Sequence, residues 1–182
     1  MGLLDERNYY KPFNYSWAFE AYKQQQHMHW LPDEVTLADD LKDYREKLSD
    51  DNRKLLSNIF RFFTQADVDV ACGYATHYLP TFKQPEVRMM LSAFANMEAV
   101  HQEAYSLLLE TLGYGDEEYQ MFTQVQAMSD KHEYLSKFDT DTNVGLAKTM
   151  AVYSAFTEGV QLFSSFAILL NFPRHNFMKG MG

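Results

Sequence analysis

Residues 94–109 read Phe-Ala-Asn-Met-Glu-Ala-Val-His-Gln-Glu-Ala-Tyr-Ser-Leu-Leu-Leu, and the way this stretch folds decides the rest of the chain. In a helix, Glu98, His101 and Tyr105 stand at i, i+3 and i+7 and form one stripe along one face. A carboxylate and an imidazole one turn apart can hold the same transition metal ion. A phenol one further turn along, about 6 Å up the axis, lies close enough to feel that ion. No GxGxxG, CxxC or nucleophile elbow competes with this stripe.

On either side the chain reads as helices. Pro85 in a first turn and the glycines Gly113 and Gly115 bound a helix from 85 to 112 that contains the stripe. Before it, Leu55, Leu56, Ile59, Phe60, Phe63, Ala66, Val70 and Ala71 keep a 3.6-residue period. They predict a helix from Asn52 to Tyr78, about 40 Å long, capped by Ser49 or Asp51. Further helices are expected at Tyr15 to His29, around Lys42 to Leu48, from Asp116 to Tyr134 with Phe122, Val125 and Met128 on one face, and from Val144 to Leu170 behind an Asn143 cap. Residues 1–14 look like an extended arm. No run alternates as a strand would, so the fold class is all-α, with 15–182 as a helical bundle and the whole chain as part of one domain.

Composition narrows the function. The 182 residues are 46% hydrophobic, enough for a real core, and a formal charge of −9 argues against nucleic acid and anionic membranes as partners. The single cysteine, Cys72, cannot form an internal disulfide and reads as a small core residue. The first residues, Met-Gly-Leu-Leu-Asp-Glu-Arg, carry no targeting signal, which fits a cytoplasmic protein. The apolar run from Val144 to Phe172 is interrupted by Lys148, Glu158 and Gln161. It reads as a buried helix, too polar for a simple membrane span.

Two carboxylates interrupt apolar helix faces. Asp67 lies between Phe63 and Val70, and Glu158 lies among Tyr153, Phe156, Val160, Leu162 and Phe163. A lone Glu-x-x-His is usually a solvated surface pair, but a carboxylate inside an apolar face is costly unless it is paired or metal-bound. Ferritin-like di-metal sites take a carboxylate from each of two helices and a Glu-x-x-His from each of two others. Asp67, Glu98, His101 and Glu158 supply rather more than half of that set. Asp69, Asp116 and the Glu117-Glu118 pair read as solvated charges, and His27 and His29 as surface residues. Tyr105 could equally be a half-buried core tyrosine, and Trp30 a packing anchor beside Pro32.

Four stretches together resemble the small, radical-generating subunit of class I ribonucleotide reductase. They are Trp30-Leu31-Pro32-Asp33-Glu34-Val35, Phe62-Phe63-Thr64-Gln65-Ala66-Asp67, Asn96 through Tyr105, and Ala155-Phe156-Thr157-Glu158-Gly159. The resemblance implies a ferritin-like bundle in which Asp67, Glu98, His101 and Glu158 bind two metal ions, iron first, with manganese or a mixed pair as alternatives. It places the radical tyrosine at Tyr105 and the tryptophan of the radical-transfer chain at Trp30. By the same resemblance, the oxidised tyrosine initiates reduction of ribonucleotides to deoxyribonucleotides on a large catalytic subunit, within a dimeric assembly.

That family also carries a second Glu-x-x-His and a docking tail, neither of which has a counterpart before Gly182. The resemblance therefore implies a truncated or split chain, with a second chain or segment supplying the missing ligands. Two other functions fit the residues: a ferritin-like oxidase of a small organic substrate, and a non-catalytic assembly piece.

Overall fold

A computed structural model describes residues 2–181, and all regular structure among them is helical. The elements run α1 (Ser16–His27), a 3-10 turn (Pro32–Glu34), α2 (Ala38–Glu46), α3 (Asp50–Gly73), a π-helical segment (Tyr74–Tyr78), the short α4 (Leu79–Thr81) and α5 (Pro85–Leu112). A 3-10 helix (Asp116–Gln124) and α6 (Gln126–Ser136) follow. The last helical run comprises α7 (Asn143–Ala151), a second π-helical segment (Val152–Leu162), α8 (Phe163–Leu169) and α9 (Asn171–Arg174).

The two long helices have clear local causes. The Ser49 hydroxyl accepts the Asn52 amide at 3.3 Å and so caps α3. Pro85 stands in the first turn of α5, and Gly113 ends that helix in the left-handed region with φ 91°, where a side chain would be strained. Packed together, α3 and α5 form the spine of the molecule, with α1 against α5 and α6 against α3.

The apolar core is divided in two. One cluster gathers Leu56, Phe60, Phe63, Leu109 and Phe172; the other gathers Val70, Tyr78, Val87, Leu91, Leu135 and Tyr153. Asp67 falls between Phe63 and Val70 on α3, and Glu98 falls between Leu91 and Leu108 on α5. The polar site thus sits where the two clusters meet. Residues 2–14 hold no helix and are pinned by a fully buried ion pair between Arg7 and Glu86. Glu86 also accepts the amides of Asn14 and Tyr15 at 2.9 and 3.0 Å.

Several expectations are corrected. The expected helix over Asn52 to Tyr78 turns π-helical after Gly73, where a Cβ would come within 2.6 Å of the Tyr153 hydroxyl. The span from Asp116 to Tyr134 is not one helix: Val125 is extended, with φ −101° and ψ 104°, and breaks the shared face of Phe122, Val125 and Met128. Thr142 rather than Asn143 caps the last run, its hydroxyl accepting the Gly145 amide at 3.0 Å. Cys72 is exposed rather than in the core.

The run from Val144 to Leu170 is also not a buried helix within this chain. Val144, Phe156, Val160 and Phe163 are between 59% and 69% exposed. By length and composition alone, Asn143–Arg174 could cross a membrane, and its most apolar window is only 17% buried. Its Val152–Leu162 segment nevertheless packs on α3, and Glu158 lies in its middle.

Candidate metal centre

Asp67 on α3 and Glu98 and His101 on α5 converge. One ligand atom from each lies within 4.8 Å of the others, and both carboxylates are buried. That spacing is close to twice a metal–ligand distance of roughly 2.0–2.3 Å, so one ion could be shared after small side-chain adjustments. His101 Nδ1 faces Glu98 Oε2 at 3.4 Å. The Gln102 amide donates to the Asp67 carbonyl at 3.2 Å and fixes the register of α5 on α3.

Glu158 stands apart from this trio. It is half-buried in the π-helical segment and lines an apolar cavity of about 280 Å³ with Val70, Tyr74, Phe94 and Tyr153. Its charge still acts on Asp67 and His101. Tyr153 holds this segment to α3 by donating its hydroxyl to the Asp69 carbonyl at 3.3 Å, an approach that Gly73 permits. Both π-helical stretches, Tyr74–Tyr78 and Val152–Leu162, border the site, and π-turns inside helices are frequent at functional positions.

The electrostatics are those of an anionic cluster that His101 and Lys131 offset only in part. Burial, reinforced by Glu98, pushes the Asp67 carboxyl up to about 8 and that of Glu158 up to about 7. Burial pulls His101 down, but the Glu98 hydrogen bond and the surrounding carboxylates more than offset this and raise it. Asp67 Oδ2 is buried without a hydrogen-bond partner. A buried acceptor left unsatisfied among like charges costs free energy that a coordinated cation would return, so the donor set fits divalent metal.

The sign of the pH dependence follows directly. Between about pH 4 and 8 the folded chain holds protons on Asp67 and Glu158 that the unfolded chain has released. Stability of the metal-free protein must therefore fall as pH rises through that window, and the raised His101 acts in the same direction. In chelator, the thermal midpoint should be lower at pH 8 than at pH 5.5 by about 5 °C or more. A midpoint that is flat or rising across this interval would mean that the cluster is not coupled as described.

Tyr105 lies one turn beyond His101, stacked on Phe63 at 4.9 Å between centroids, against the same core cluster that Leu162 and Phe166 border. Burial, with the charges of Asp67, Glu98 and Glu158, holds its phenol far above the usual range and hence protonated. The Trp30 ring lies 6.2 Å from that of His101, and Trp30, His101, Tyr105 and Phe166 share a cavity of about 230 Å³. His27 and His29 are exposed.

Two carboxylates expected to be solvated are not. Asp69 is only 8% exposed and accepts hydrogen bonds from Gln65 at 2.8 Å and, with His132 as donor, at 2.7 Å. Glu118 pairs with Arg61 at 2.5 Å. Sequence spacing missed the His132–Asp69 and Arg61–Glu118 pairs because each joins two elements far apart in the chain; the Gln65–Asp69 pair, at i and i+4 on α3, was within its reach. It also missed Lys131 on α6, whose charge reaches Asp67, Asp69 and Glu158.

Packed helices that carry carboxylates and an imidazole between two core clusters are an arrangement found in ferritin-like proteins. The chain belongs to the family described as ribonucleotide reductase, small chain, which it matches over residues 7–182. It is 48% identical over 196 aligned positions to a probable ribonucleoside-diphosphate reductase small subunit of invertebrate iridescent virus 6, covering 100% of this chain and 54% of that protein. The fold superposes on the ribonucleotide reductase R2 subunit from Clostridium botulinum with a TM-score of 0.83 at 20% identity, covering 92% of this chain and 55% of that one. It also superposes on an R2-like ligand-binding oxidase reconstituted with a Mn/Fe cofactor, with a TM-score of 0.70 at 18% identity, covering 90% and 63%. The chain thus spans about half the length of the curated relatives it matches.

Proposed function

We propose that this chain is the radical-generating part of a ribonucleoside-diphosphate reductase. The observation that carries the proposal is the convergence of Asp67, Glu98 and His101 one helical turn from a tyrosine enclosed by aromatic and apolar side chains. In this proposal Asp67, Glu98, His101 and Glu158 hold two metal ions, iron first. Manganese or a mixed pair is an alternative, in keeping with the Mn/Fe cofactor of the ligand-binding oxidase of similar fold. When bound, the metals supply the one-electron oxidising power, drawn from O₂ or a related oxidant, that a phenol needs to lose a hydrogen atom.

The protein's own residues do the rest. Phe63 stacks on one face of the Tyr105 ring with Phe166 against Phe63, and burial keeps the phenol protonated in the metal-free chain. Trp30, beside His101, is placed to pass the oxidising equivalent toward a large catalytic subunit where ribonucleotides are reduced. A ferritin-like oxidase would use the same four ligands, but the enclosed Tyr105 and adjacent Trp30 favour the reductase.

The ligand set and the apolar helix both call for a further segment, in a cytoplasmic, dimeric assembly. Phe156, Val160 and Phe163 are large apolar side chains exposed along one helical run, and soluble monomers rarely expose apolar patches beyond a few hundred Å². A segment bearing the second Glu-x-x-His would cover these side chains and close the coordination. Co-expression with a polypeptide carrying that motif should give a stable complex that binds two metal ions per site and supports ribonucleoside-diphosphate reduction with the large subunit. Residues 1–182 that stay monomeric and acquire the full metal complement and radical unaided would overturn this account of the partner.

A further inference from the structure

Residues 176–181, which follow α9, hold no helix, yet buried charges tie them down. The Met178 amide donates to Asp43 Oδ2 at 3.0 Å, and the Gly180 amide donates to Asp40 Oδ1 at 2.8 Å. Both acceptors are buried and stand one turn apart on α2. A carboxylate is costly to bury unless hydrogen bonds meet its charge, and each of these accepts an amide from the same short segment.

The segment is also held in an unfavourable conformation. Asn176 and Met178 lie in the left-handed region, with φ 63° and 49°. Asparagine tolerates that region; a methionine stays there only where its surroundings hold it, and such outliers gather at clamps and switches. Here the hold is the Asp43 bond together with complete burial of Met178 in the core cluster of Leu56, Phe60 and Phe63. Gly180 is fitted just as closely. A Cβ on it would come within 2.5 Å of the Thr36 carbonyl oxygen and 2.8 Å of Asp40 Oδ2. Behind this fit lies the cavity of about 230 Å³ that Trp30, His101 and Tyr105 line, and Gly180 and Met181 form part of its wall.

We propose that residues 176–181 are a latched strap. While Asp40 and Asp43 hold its amides, the strap shuts the cavity beside Trp30 and Tyr105; when those bonds are released, it opens that cavity to solvent. Two polar bonds and a strained residue let such a segment open locally while the α3–α5 spine stays folded. The bearing of the strap on radical chemistry rests on the roles of Tyr105 and Trp30 proposed above.

The test uses the metal-free native assembly and two readouts. Amide hydrogen exchange over residues 176–181 reports the latch. Acrylamide quenching of Trp30 fluorescence, taken as the difference from Trp30→Phe, reports access to the cavity. Gly180→Ala, which drives the strap off Thr36, should speed exchange about tenfold or more and raise the quenching constant about twofold or more. Asp40→Ala removes an acceptor without adding bulk and should reproduce both changes, so the outcome does not hang on one variant folding. Lys42→Ala, an exposed substitution on the same helix, should behave as the wild type in both. Faster exchange with unchanged quenching would mean that the strap does not shut the cavity, and unchanged exchange would mean that Asp40 does not latch it; either overturns the proposal. Because no metal is needed, a Tyr105 that forms no radical in the loaded assembly would refute the proposed function and leave the strap standing.

Discussion

Replacing Tyr105 by Phe should abolish the organic radical signal in electron paramagnetic resonance and lower reductase activity of the complete assembly by about 10³-fold or more, the scale on which essential covalent or radical groups act. Metal content should be unchanged. The ring of Tyr105 stacks on Phe63 at 4.9 Å and belongs to the cluster that includes Leu162 and Phe166, contacts that a phenylalanine keeps in full. Among the described residues the phenol makes no hydrogen bond that the substitution would break, so the thermal midpoint should move by no more than about 2 °C, equivalent to at most about 1 kcal/mol for a protein of this size. A radical signal that survives Tyr105→Phe would place the radical elsewhere.

Glu98→Gln should change affinity and stability in opposite directions. Glu98 is 8% exposed, contacts His101, and acts on Asp67, Glu158 and Tyr105. Removing its charge takes away one candidate ligand and, at once, the largest carboxylate repulsion acting on Asp67 and Glu158. Divalent metal binding should weaken by about 10²-fold or more, since a neutral amide is a poor substitute for a carboxylate at a transition metal. The metal-free protein should become more stable, by about 1–2 kcal/mol, because a buried like-charge cluster loses a member. A variant that loses stability and keeps its metal affinity would identify Glu98 as a structural acid.

Much of this was legible in the sequence, for identifiable reasons. Pro85 and Gly113 bound α5 by backbone chemistry that acts within a few residues, and a 3.6-residue apolar period marks α3. Asp67 and Glu98 stand out because charges on apolar faces need a reason. Hidden from such a reading was everything that depends on contacts between helices. The π-helical turns around Tyr74 and Glu158 add no signal to a 3.6-residue pattern. The extended Val125 sits in a stretch with no strong breaker. Asp69, two residues from Asp67, reads as solvated because one of its partners, His132, lies 63 positions away. The exposure of Phe156, Val160 and Phe163 shows only when the neighbours of that helix are in place.

In the proposed centre, Asp67, Glu98, His101 and Glu158 surround two metal ions. The most direct test is anomalous X-ray diffraction at the iron and manganese absorption edges, on crystals of the metal-loaded assembly. The account predicts two anomalous peaks in the core between α3, α5 and the Val152–Leu162 segment, each within bonding distance of side-chain atoms of these four residues. Anomalous density that lies elsewhere, or none at all between these helices in a fully metal-loaded crystal, would contradict it.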